Sequence, residues 1–216
     1  MKLNSSSAVP TPLPPRNVPA QARSRTRLLR VLDAADELLA ETGAGGFTTT
    51  RIAQAAGLPI GSVYRFFPDK EAIAQALAVR YWSDFEDLVA GVAEADSHER
   101  LDDPTGEVLR TLAAGFRSRP GFLALWFGGL RSERIRDATR PARQAIAGSI
   151  ERILAGRWPD APPELRSRAA AMVVLAGDGL LREAFRRDPD GDPGLLAEAR
   201  LMLDAYIAAA LEDGSR

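Results

Sequence analysis

Phe47-Thr48-Thr49-Thr50-Arg51-Ile52-Ala53-Gln54-Ala55-Ala56-Gly57-Leu58-Pro59-Ile60-Gly61-Ser62-Val63-Tyr64-Arg65-Phe66-Phe67-Pro68-Asp69-Lys70-Glu71 is the stretch whose reading decides the fold. Its punctuation divides it into short helices. Thr48 is suited to cap a helix, with Phe47 and Ile52 at the two positions of a hydrophobic staple. Gly57 stops that helix, so it spans Thr49–Ala56, and Gly57-Leu58 makes a turn. Pro59 fits the first turn of a second short helix, Pro59–Phe66. Pro68-Asp69 breaks the chain again, with Asp69 as the next cap. Two short helices joined by a tight turn form a helix-turn-helix.

Such a unit on DNA must brace one helix across the backbone and offer small and polar residues from the other to the major groove. Val63 and Phe67, four apart, can pack inward, with Ile60 a further apolar neighbour. Gly61, Ser62 and Arg65 then face away. Gly61 permits close backbone approach, Ser62 can bond a phosphate or a base edge, and Arg65 can donate to a phosphate or to guanine. Tyr64 adds a flat ring and a hydroxyl near the surface. Arg51 and Lys70 each fall in the first turn of a helix, where a cation costs ~0.3–1 kcal/mol. A phosphate nearby would reverse that sign. Either residue alone could be a solvated cation; their occurrence beside a helix-turn-helix favours the phosphate.

Outward from this unit, Pro10, Pro12, Pro14, Pro15 and Pro19 among Ser, Asn and Gln mark residues 1–21 as a disordered tail. Arg23, Arg25, Arg27 and Arg30 follow as a basic approach that could add phosphate or minor-groove contacts. Leu28, Leu29, Leu32, Ala35, Leu38 and Leu39 recur with helical period over about 22–42, and Gly43 ends that helix. Downstream, Ile73, Leu77, Tyr81, Phe85, Leu88 and Val92 predict a long helix after Asp69. Further helices are expected at about 104–118, 120–130, 133–157, 163–187 and 193–212. The pattern contains no convincing strand, so the expected fold is all-α.

Composition excludes several functions. The chain has 216 residues and no Cys, so disulfides, zinc-thiolate sites and cysteine nucleophiles are absent. Its one His, His98, lies in a polar stretch that reads as a solvated loop. No nucleophile–base pair or metal cluster is evident, so neither an enzyme nor a cofactor is expected. No apolar run approaches the ~20 residues that span a bilayer, and no secretory signal opens the chain; the cytoplasm is the default location. Net charge is −1, yet Lys/Arg exceed Asp/Glu by 4 in residues 1–80 and fall short by 5 in residues 81–216. A basic front and an acidic back suit a protein that presents one end to phosphates.

Residues 47–71, together with Ala34-Ala35, Leu38-Leu39 and Gly43 before them, closely resemble the DNA-binding signature of the tetracycline-repressor-like (TetR) family over about residues 24–77. The resemblance implies an N-terminal three-helix DNA-binding domain (22–68), joined by a long fourth helix to a larger helical ligand-binding and dimerisation domain (69–216). It places DNA contacts on Thr49, Thr50, Arg51, Gly61, Ser62, Tyr64, Arg65 and, for a phosphate, Lys70. Phe66 departs from the His or Tyr that many members carry. The resemblance also implies operator DNA as partner and a homodimer built by the last two helices as a four-helix bundle.

Those two helices carry apolar stripes: Leu165, Ala169, Met172, Val173, Ala176 and Leu180 on one, and Leu195, Ala199, Leu203, Tyr206 and Ala210 on the other. The stripes can serve the dimer, the internal core, or both on different faces. Trp82, Phe85, Phe116, Phe122 and Trp126, with Leu125 and Phe127, form an aromatic group that is either plain core or the lining of a small-molecule pocket. Asp178 lies within an apolar run, where a carboxylate is costly unless paired. It either binds a polar group of a ligand or pairs with an arginine such as Arg131 or Arg182. The expected activity is that of a repressor released from a palindromic operator by a small-molecule effector. The alternative is a DNA-binding protein of the same fold with no effector.

Overall fold

The computed structural model describes residues 18–130 and 132–212, with side chains from residue 22 onward. Among these residues there are ten helices and no strand. Helix α1 (Val18–Gly46) begins inside the segment whose composition suggests a tail; residues 1–17 of that tail lie outside the described residues. At Gly43 (φ 61, ψ −169) α1 leaves the helical path, a positive φ that glycine adopts without a Cβ penalty.

The two short helices follow as α2 (Thr49–Ala55) and α3 (Ile60–Tyr64), slightly tighter than their sequence limits. The Thr48 side chain accepts a hydrogen bond from the Arg51 N–H at 3.3 Å, a cap worth ~1 kcal/mol. Phe47 and Ile52 are fully buried, as a staple requires. Val63 and Phe67 are buried too, but Ile60 stays 40% exposed. It opens a helix little more than one turn long, of which only the Val63 side reaches the core.

Helix α4 (Lys70–His98) is capped by Asp69, whose Oδ1 accepts the Ala72 N–H at 2.7 Å. At 1.5 Å per residue it is about 44 Å long. His98 ends this helix instead of lying in a loop, exposed and 4.0 Å from Glu94. Next come α5 (Pro104–Arg117), α6 (Pro120–Phe127), α7 (Glu133–Ala138) and α8 (Arg140–Arg157). Gly128-Gly129 stop α6 before residue 130. The expected single helix over 133–157 is two helices. Pro141 has no N–H to continue the ladder, and the Thr139 hydroxyl donates to the Ile135 carbonyl at 2.9 Å instead. Helices α9 (Pro163–Arg187) and α10 (Pro193–Glu212) run as the sequence predicts, joined by a turn with Gly191 at φ 84.

Helix α1 packs on α2, α4 and α6; α4 packs on α5, α7 and α8; α9 lies between α8 and α10. One apolar core therefore runs from the helix-turn-helix along α4 to the last two helices.

Candidate DNA interface and ligand cavity

The eight residues singled out between 49 and 70 are all at the surface. Thr50, Arg51, Gly61, Tyr64, Arg65 and Lys70 are exposed, and Thr49 and Ser62 are half-buried. Interleaved with them, Ile52, Ala53, Ala56, Val63 and Phe67 turn into the core. Alternation of this kind fixes which sides of α2 and α3 face outward. Nothing lies within 4 Å of where a Cβ on Gly61 would sit. Arg51 donates to the Gly46 carbonyl at 3.2 Å. A Cβ on Gly46 would collide with the Thr42 side chain and with that guanidinium. The side chains of Lys70 and Arg65 have no hydrogen-bond or ion-pair partner among the described residues. Phe66 is half-buried against the core. Arg23, Arg25 and Arg27 are exposed, whereas Arg30 donates to the Ala56 carbonyl at 2.8 Å and so ties α1 to the end of α2.

Helix α4 holds α1 by a charged cluster. Arg80 reaches Asp33 at 2.7 Å and Asp36 at 2.8 Å, and the Tyr81 hydroxyl donates to Asp36. Burial first, and then the bond to Asp36, push the Tyr81 phenol well above its ordinary pKa, so it remains a donor. Gly121, at the start of α6, lies so close that a Cβ there would collide with Asp36 and come 2.6 Å from the Tyr81 hydroxyl.

The next residue of α4, Trp82, faces a different environment. With Phe85 it lines a cavity of ≈ 320 Å³ enclosed by α4, α5, α8, α9 and α10. Phe116 and Asp178 of the sequence candidates line it as well. Phe122 and Trp126 do not; they stack behind it, Phe122 4.7 Å from Phe116 and Trp126 5.6 Å from Trp82 between ring centroids. The aromatic group is thus part lining and part core. Phe127 is 41% exposed and lies apart from the cavity. The Asp178 carboxylate accepts from Arg182 at 3.2 Å and also lines the cavity, so both alternatives for it meet at one place. The Arg143 guanidinium lies 4.4 Å over the Trp82 ring; burial lowers its pKa, with Asp178 acting the other way. The Trp82 indole Nε1 is buried without a hydrogen-bond partner. At the far end of the cavity, burial alone would raise the pKa of Asp103. Bonds from the Gly106 N–H and from Arg200 and Arg110 outweigh this and hold it below its ordinary value.

Two family models match the chain: "Bacterial regulatory proteins, tetR family" over residues 31–77 and "Tetracyclin repressor-like, C-terminal domain" over residues 99–211. The chain belongs to the TetR family. It is 33% identical to a TetR-family transcriptional regulator from Streptomyces coelicolor, with 86% of this chain and 99% of that one covered at a TM-score of 0.63. A putative TetR-family regulator from Mesorhizobium loti shares 17% identity over 87% and 98% of the two chains (TM-score 0.68). The regulator FadR from Bacillus subtilis, solved with stearoyl-CoA, shares 19% over 83% and 97% (TM-score 0.62). Among curated proteins none matches. As a TetR-family member the protein is a DNA-binding transcriptional regulator and not an enzyme. None of its described helices is long and apolar enough to cross a membrane.

Sequence reasoning on this TetR-family regulator missed most of the cavity wall. Leu112 of α5, Ile146, Ile150 and Leu154 of α8, and Leu203 and Ile207 of α10 complete it. Their helical spacing is visible in the sequence, but the same spacing describes residues in a filled core. The bonds from Arg80 and Arg30 to α1 and α2 also left no signal, since arginines 44 and 26 residues away from their partners carry no local pattern.

Proposed function

We propose that this TetR-family regulator is a repressor that a small molecule, bound in the ≈ 320 Å³ cavity, releases from a palindromic operator. One observation carries the reading. Consecutive residues of α4 face both sites: Arg80 and Tyr81 grip α1 through Asp33 and Asp36, while Trp82 and Phe85 line the cavity. A ligand pressing on Trp82 cannot leave the grip on α1 unchanged if α4 moves as a rigid rod. Thr49, Thr50, Arg51, Gly61, Ser62, Tyr64, Arg65 and Lys70 form the proposed DNA surface, and their exposure supports it. The proposed homodimer forms through α9 and α10. Leu175 (67% exposed), Leu201 (61%), Met202 (48%) and Met172 (44%) support that interface, because large apolar groups cluster on the surface where partners dock. In such a dimer the two copies of α3 must lie ~34–36 Å apart to enter successive major grooves, and ligand binding favours a different spacing. A fold with no effector would be expected to fill its core; the cavity weighs against it.

The test starts from an operator selected from random duplexes by the purified protein. A compound that binds the cavity should weaken operator binding by ~5–150-fold, the usual range of such coupling. Compounds that saturate the cavity and leave operator affinity unchanged would refute the effector reading.

A further inference from the structure

The cavity is lined along much of two helices. On α5 its lining runs in one stripe from Pro104 to Phe116, and on α8 from Ile146 to Arg157, with Trp158 just beyond the end of the helix. The stripes span about 18 and about 16 Å of helix. Arg157, near the end of α8, donates to the Leu101 carbonyl just before α5, so the start of one stripe meets the end of the other.

The two ends differ. Phe85, Phe116 and Leu181 close the inner end and are almost wholly buried. Asp178, the charged residue lining that end, is paired with Arg182. The outer end is lined by Asp102, Asp103, Asp204, Arg157 and Arg200, and opens to solvent. Arg157 is already committed to Asp96 at 2.6 Å. Arg200 is shared between Asp103 at 3.2 Å and Asp204 at 3.4 Å. Asp102, Asp103 and Asp204 against Arg157 and Arg200 leave the lining of this mouth acidic by one charge, 3 − 2, and Asp96 offsets Arg157 from behind. Arg110, bound to Asp103 and Glu107, adds one charge of each sign. A carboxylate or phosphate head would meet repulsion there; a cation would not.

From this apolar lining and this charge we infer that the effector is a cationic amphiphile, with an apolar body and one ammonium-type head. Its body lies along α5 and α8 toward Phe116, and its head stays at the Asp102–Asp204 mouth. The inference rests on the proposed role of the cavity as effector site.

The experiment titrates the full-length protein with alkyltrimethylammonium ions of six, eight, ten and twelve carbons, each below its micellar concentration, and with alkanoates of the same lengths. Calorimetry and the fluorescence of Trp82 and Trp158, which line the cavity, read binding directly; anisotropy of a labelled operator reads release. Affinity for the ammonium series should climb roughly fourfold per added methylene, with each alkanoate at least tenfold weaker. Asp102→Asn with Asp204→Asn should erase that preference and keep the dependence on chain length. Gly177→Leu puts a side chain where the nearest neighbour of a Cβ is Leu203 Cδ1 at 4.0 Å. It should weaken the whole series at least tenfold with circular dichroism unchanged; the length series needs no variant and stands without it. No dependence on chain length, or tighter alkanoate binding, would overturn the inference. Ammonium binding that leaves the operator bound would uphold the ligand class and refute the effector role. Operator release by an uncharged compound, with no alkylammonium binding, would do the reverse.

Discussion

At Gly61 and Gly121 the same substitution should act in opposite ways. A methyl group on Gly61 meets nothing within 4 Å, whereas one on Gly121 meets Asp36 and Tyr81. Gly61→Ala is therefore expected to hold or raise stability, by up to ~0.5–1 kcal/mol, while weakening operator binding tenfold or more through the lost close approach. Gly121→Ala should destabilise by ~1–3 kcal/mol as an overpacked contact. Thermal unfolding separates the two, and operator anisotropy decides the first; undiminished operator affinity in Gly61→Ala would remove close approach from the account of α3. At this scale the sequence was most legible where a residue acts on its own neighbours. Thr48 and Asp69 cap the helices they precede, and Gly43 and Gly57 adopt the positive φ that ends a helix. Ile60 shares the inward spacing yet stays exposed, because spacing alone says which residues share a face, not whether the core extends far enough to cover them.

Among the elements, α4 has the most to connect. Its Tyr81 should be the residue through which binding at Trp82 is felt by α1. Tyr81→Phe removes the hydroxyl and leaves Asp36 to Arg80. We expect ligand affinity to stay within twofold while the loss of operator affinity on ligand binding shrinks severalfold, as titrations of operator with and without ligand would show. The same residue predicts a pH dependence. Its folded pKa is raised, by burial and then by Asp36, so its contribution to stability is complete below the unfolded value of about 10 and is lost as pH rises beyond it. Denaturant midpoints of the parent should fall with pH above about 10, and Tyr81→Phe should show a shallower fall. Equal slopes would mean that Tyr81 ionises as freely as in the unfolded chain. Helix limits were legible wherever Pro or Gly marks both ends, as in α9 and α10. The break between α7 and α8 was not, because apolar residues on both sides of Pro141 continue one period across it and suggest a single helix. The cavity escaped for a related reason: periodicity identifies an inward face without saying whether another side chain fills the space opposite.

For the molecule as a whole, the decisive question is how two copies are held. On α9, Ala169, Val173 and Gly177 are buried while Met172 and Leu175 are exposed; on α10, Ala199 and Leu203 are buried while Leu201 and Met202 are exposed. Each helix thus has a second apolar side that its own fold does not cover. Covering Leu175 and Leu201 in a dimer would contribute ~1.5–3 kcal/mol for each side chain fully buried, and twofold symmetry would double it. Leu175→Glu with Leu201→Glu replaces that gain with four carboxylates facing one another. Sedimentation should then report a single chain of 23.3 kDa instead of twice that mass. Helicity should not change, since both positions are solvent-facing within one chain. Operator affinity should fall by ~10²–10⁴, because each recognition helix then binds its half-site without the effective concentration supplied by its tethered twin. The basic excess in residues 1–80 remains in the monomer, so weak, salt-sensitive binding to any duplex should survive. A variant that stays dimeric by sedimentation would move the interface elsewhere. One that becomes monomeric yet still binds the palindrome at parental affinity would mean that half-sites are read independently, and the spacing of the two α3 helices could no longer be what the ligand controls.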